Sequence, residues 1–175
     1  MKFQHSIFTT KTLNRAAILI AMSVVLKSFL SIEGGVFRVT FFDIPLIILG
    51  LMLGPLIAIV AGFVVDWIYV LISPFAFSFN LMTLSTISWA LIPALFLYKR
   101  KKVSLLKISF VVIFTSIIAF SLNTYQLYIW AGVGAFGDLP LRIGILLVKL
   151  PIQIVVINVL YQRVVALEMN IIKER

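Results

Sequence analysis

The chain has 175 residues, of which 62% are hydrophobic and 12% charged, with 15 Lys and Arg against 6 Asp and Glu. Soluble domains carry about 45–50% apolar and about 25% charged residues, so this composition excludes a globular soluble fold and describes an integral membrane protein. The formal charge of +9 invites a nucleic-acid partner, yet the basic residues sit in loops and tails with no basic helix interleaved with aromatics. The charge is read as a topology signal and no nucleic acid is expected. With no Cys and one His, His5, disulfides, thiolate chemistry and a His-based metal site are excluded.

The long Leu, Ile and Val runs lack the in-and-out alternation of a barrel, so the predicted spans are helices of about 20 residues each. The polar N-terminal stretch MKFQHSIFTTKTLNR leads into the first span, residues 12–31. No small-residue cleavage motif follows, and the span is read as retained. It ends at the glycines of IEGG. The β-branched, aromatic VFRVTFF that follows predicts an extended lid or hairpin strand. Residues 44–53 predict a brief second span closed by Gly54 and Pro55, and residues 56–72 a third that stops before Ser73 and Pro74. Residues 81–98 predict a fourth span, ended by the run KRKK, and residues 105–130 a fifth, ended by AGVGAFGD. A sixth begins near Leu139 and leaves around Arg163. The expectation is an all-α membrane protein with one six-helix domain over residues 1–175 and a short β-like lid after the first helix.

Six spans put both termini on one side, and three basic clusters choose it: Lys2, Lys11 and Arg15; residues 99–102 with Lys107; and Arg163, Lys173 and Arg175. All three fall on the same face, which is therefore cytoplasmic, with both ends inside. The opposite loops carry Glu33 and Asp138, with Arg38 as their cation.

On this topology Lys27, Asp66, Trp67, Asn80, Asn123 and Arg142 all lie near the outer ends of their spans, and Lys149 lies deepest, roughly 10 Å below Arg142. Residues seven apart share a helical stripe, which aligns Arg142 with Lys149 and keeps Gln153 close to both. A charge at membrane depth costs about 2.5–3.5 kcal/mol on insertion scales, so such residues should face protein or water. The economical picture is a polar cavity open to the outside. Two structural alternatives stand beside it: Lys27 and Arg142 snorkelling to headgroups, and Asp66 pairing with Lys149 in a buried salt bridge. Lys27, Arg38, Arg142 and Lys149 outnumber Asp66 and Asp43, which suggests an anionic ligand. Trp67, Trp89, Phe37 and Tyr125 could supply flat walls, unless they are interfacial belt residues. The expected ligand is planar and carries carboxylates.

Ala17 and Ala21 form a small-xxx-small pair, suited to close approach by another helix, either within the bundle or from a partner. The chain has no Walker A motif, so uptake against a gradient would need energy from another subunit. An enzyme is disfavoured: HExxH, GxSxG and paired carboxylates are absent, and Ser85 and Ser88 have no histidine beside them.

Four stretches together resemble a known family: AILIA in the first span, FRVTFFDIPLIILGLMLGPLIAIVAGFVVDWI, FSFNLMTLSTISWALIPALFLY, and the distal NTYQLYIWAGVGAFGDLPLRIGILLVKLPIQ. They are similar to the six-helix substrate-binding (S) components of energy-coupling factor (ECF) vitamin transporters, with the distal stretch most like the folate-specific members. The resemblance implies a multi-pass protein of the bacterial plasma membrane that captures folate or a reduced folate from outside. It also implies a shared ECF module, made of a membrane coupling protein and two ATPases, that drives uptake and is contacted through Ala17 and Ala21. No cofactor or metal is implied. Asp66, Trp67, Asn80 and Asn123 would then suit the pterin ring, and Lys27, Arg38, Arg142 and Lys149 the glutamate tail. The rival readings are an S component for another vitamin such as pantothenate, and a membrane scaffold of the rod-shape-determining type.

Overall fold

The computed structural model describes residues 9–34, 37–73, 80–98, 100 and 103–165, without the side chains of residues 32–34, 37–38 and 164–165. The side chains of Phe37 and Arg38 therefore lie outside the description, as do residues Lys2, Lys99, Lys101, Lys102, Lys173 and Arg175. Six α-helices form the body: α1 (Thr10–Ser28), α2 (Asp43–Leu53), α3 (Pro55–Ile72), α4 (Leu81–Leu97), α5 (Leu105–Ala131) and α6 (Leu139–Leu160). Two three-residue strands, β1 (Ile32–Gly34) and β2 (Phe37–Val39), pair antiparallel between α1 and α2, with Ile32 opposite Val39 and Gly34 opposite Phe37.

Helix α1 starts where the Thr9 hydroxyl accepts the Thr12 amide at 3.3 Å, satisfying one of the donors that a helix start leaves open. Its buried residues Ala16, Ser23, Val24 and Lys27 fall on one face. Helix α2 is buried all round, with Leu46, Ile47, Ile48, Leu49 and Leu51 each almost inaccessible, so it sits at the centre. Its 11 residues reach only about 16 Å, about half the hydrocarbon core of a bilayer. Among the described residues, three segments are long and apolar enough to cross a membrane: Pro55–Ile72, Leu105–Phe136 and Leu139–Arg163.

Gly54 joins α2 to α3 at φ +89°, a backbone that glycine adopts without a Cβ penalty, and Pro55 opens α3 where its missing N–H costs nothing. The close neighbour of both helices is α4. A Cβ at Gly50 would meet the Ala90 carbonyl oxygen at 2.2 Å, and one at Gly62 would meet Ile87 Cα at 2.6 Å. Glycine thus lets the α4 backbone touch α2 and α3 directly, the small-residue packing that membrane helices use. Along α5 and α4 the buried hydroxyls turn back on their own helices: Thr115 donates to the Val111 carbonyl, Ser116 to Val112 and Ser88 to Leu84. Ser85 instead reaches across to the Ala119 carbonyl at 3.3 Å.

Helix α6 is peripheral. Only Gln153 and Ile157 are buried along it, while Leu147, Val148, Ile152 and Val155 face outward. Similar apolar faces on α3 (Leu56, Val60) and α5 (Leu106, Phe110) form an exposed belt that only lipid would cover in a stable monomer. At its far end α6 passes into a π turn, Tyr161–Val165, where the buried Tyr161 hydroxyl donates to the Arg100 carbonyl at 2.5 Å.

Candidate ligand-binding site

The polar side chains gather around the turn that leads from β2 into α2. Lys27 Nζ of α1 donates to Asp66 Oδ1 of α3 at 2.5 Å and to Thr86 Oγ1 of α4 at 2.9 Å. The Thr86 hydroxyl lies 3.1 Å from the same carboxylate oxygen and 3.0 Å from the Met82 carbonyl, its single proton shared between them. The faces of Phe42 and Tyr69 lie 4.8 Å from the ammonium, close enough for cation–π attraction.

A second pair forms on the other side of the turn. Lys149 Nζ of α6 donates to Asp43 Oδ1 at 3.0 Å, and the Gln153 amide donates to Asp43 Oδ2. Asp43 is fully buried at the first residue of α2, where the positive end of the helix dipole favours a carboxylate. The rings of Phe41 and Trp89 stand 5.7 and 5.6 Å from Lys149. Phe41, Phe42 and Asp43 are consecutive, and Thr86 and Trp89 lie three apart on one face of α4. One turn and one helix face therefore hold both pairs at a common level, walled by four aromatic rings.

Asp66 neutralises Lys27, and Asp43 neutralises Lys149. The Asp66–Lys149 bridge weighed from sequence does not form. The positive surplus shrinks accordingly: of the described site cations, Arg142 is in no salt bridge, and Asp138, one turn before it, acts on its charge. Its guanidinium lies 5.1 Å over the Phe120 ring, and Nη1 is buried without a hydrogen-bond partner.

The other predicted residues are distributed more widely. Asn80 caps α4, its Oδ1 accepting the Met82 and Thr83 amides at 2.9 and 3.3 Å, while Gln126 Oε1 accepts from the Leu81 amide at 3.0 Å. Both residues line an open groove of about 640 Å³ with Ile129 and Trp130, away from the lysine pairs. Asn123 is half-buried on α5, one turn from Phe120. Trp67 is 46% exposed, with its ring 5.7 Å from Phe63. The buried tryptophan beside Lys149 is Trp89. Ala17 and Ala21 are both exposed, in a stripe with Leu13 and Val25, so internal packing does not explain them.

Sequence reasoning missed Thr86, Phe41, Phe42, Phe120 and Thr124. Asp43 carried the usable signal: an acid directly before an apolar helix is placed to need a buried cation. Chemically, the arrangement offers ammonium donors, carboxylate acceptors and aromatic faces, with no nucleophile held by a base.

Residues 11–171 match the family described as "ECF transporter, substrate-specific component". The chain belongs to that family. Over 117 residues this substrate-specific component is 35% identical to "Folate transporter FolT" of Clostridium novyi (strain NT), a match covering 66% of this chain and 67% of the relative. Its fold matches the crystal structure of FolT bound with folic acid with a TM-score of 0.81, at 24% identity, covering 90% of this chain and 96% of that one. As a substrate-specific transporter component it is not an enzyme. As a transporter subunit with an apolar belt, it is a multi-pass membrane protein.

Proposed function

We propose that this S component binds folate or a reduced folate. The observation that carries the reading is the 35% identity to a protein named as a folate transporter. The geometry supports it: the aromatic walls around the Lys27 and Lys149 pairs suit a flat ring rich in donors and acceptors, and Arg142 suits a carboxylate. The Lys149 ammonium has three donors, and its bond to Asp43 leaves capacity for a ligand acceptor. The relationship also argues against pantothenate and against a scaffold.

In this reading the whole chain is one six-span domain of the plasma membrane with both termini in the cytoplasm, and the β1–β2 hairpin is the lid of an outward-facing site. Ala17 and Ala21 meet the coupling protein of an ECF module, and two ATPase subunits supply the energy. The test is uptake of radiolabelled folic acid by cells that lack their own folate uptake. Accumulation is expected only when the chain and an ECF module are expressed together, and is lost when the ATPases are inactivated. Accumulation by the chain alone, or none with the full complex, would contradict the proposal.

A further inference from the structure

Two polar atoms near the Ala131 end of α5 and the Leu139 end of α6 are buried and have no hydrogen-bond partner: Arg142 Nη1 and Thr124 Oγ1. Phe120 touches one and lies a helical turn from the other. The guanidinium lies 5.1 Å over its ring, and Thr124 follows it by one helical turn on the same face of α5. Thr124 departs from the habit of its helix. Ser109, Thr115, Ser116 and Ser121 each donate to the carbonyl four residues earlier, whereas the Thr124 hydroxyl does not. A buried donor left unpaired is unfavourable, and two of them beside one ring are completed by a single acceptor group. A carboxylate fits best: the guanidinium fork matches its two oxygens, the hydroxyl adds a further donor, and the ring below excludes water. Lys27 and Lys149 already hold Asp66 and Asp43, so a ligand carboxylate gains more at Arg142.

We infer that Arg142 and Thr124, floored by Phe120, form a clamp for a carboxylate of the bound ligand. The clamp rests on the folate reading and assigns the end of the site that takes the glutamate tail. Asn123, next to Thr124, borders it.

The test compares folic acid with its dimethyl ester, which masks both tail carboxylates, by tryptophan-fluorescence titration of the purified full chain. Wild-type protein is expected to prefer the acid by about tenfold or more, the scale of a charge-assisted contact. In Arg142→Gln that preference collapses, and in Thr124→Val it falls by about threefold, while affinity for the ester is unchanged. Equal losses for acid and ester would assign Arg142 to lipid or to the fold and overturn the clamp. So would a preference that survives both substitutions, or a wild type that binds acid and ester equally. Wild-type protein that binds neither overturns the folate reading itself. If Arg142→Gln elutes aggregated, the isosteric Thr124→Val decides alone.

Discussion

The side chains of Lys27 and Asp66 are 10% and 6% exposed, so neither charge can fall back on water. Removing one partner of a buried pair costs about 3–5 kcal/mol, whereas replacing both with apolar groups of similar volume is often neutral. Lys27→Met and Asp66→Leu should each lower the thermal midpoint in detergent, and the double variant should recover most of the loss. Additive losses in the double would show that the two residues act separately. The cations of the site could be read from the sequence, because a charge inside an apolar run is conspicuous. Their partners could not. Whether Asp66 reaches Lys27 or Lys149 depends on how α1, α3 and α6 are rotated about α4, and of these Gly62 sets only the approach of α3. Thr86 was hidden for another reason: hydroxyls are frequent along α4, at Thr83, Ser85, Thr86 and Ser88, and spacing does not say which one meets a charge.

Among the elements, α1 presents Leu13, Ala17, Ala21 and Val25 outward at four-residue spacing, a stripe on which a second helix can pack closely. Leucine at both alanines should abolish co-purification with the coupling protein and leave folate binding intact. Retained co-purification, or lost binding, would remove the stripe from the partner interface. Helix positions were largely legible from hydropathy and punctuation, since IEGG, Gly54–Pro55 and the run KRKK are local signals. The central burial of α2 was not legible. Its apolar run is continuous, and central burial inside protein looks the same in sequence as burial in lipid. The strand Ile32–Gly34 was likewise not expected, because IEGG reads as a helix stop and its pairing with Phe37–Val39 is a tertiary fact.

The whole molecule is a core of α1 to α5 with α6 held against it chiefly by Gln153, Ile157 and the Lys149–Asp43 pair. The Lys149–Asp43 pair, Trp89 and Arg142 thus sit at a helix that is otherwise lightly packed, as the proposed site requires. Of the three tryptophans, Trp89 stands in it, 5.6 Å from Lys149. The decisive measurement is a fluorescence titration of the purified protein, stripped of co-purified ligand, with folic acid, 5-formyltetrahydrofolate, pantothenate, riboflavin and thiamine. Saturable quenching by the two folates alone is expected. Folded protein that is quenched by another vitamin of the panel, or by none of them, would contradict it.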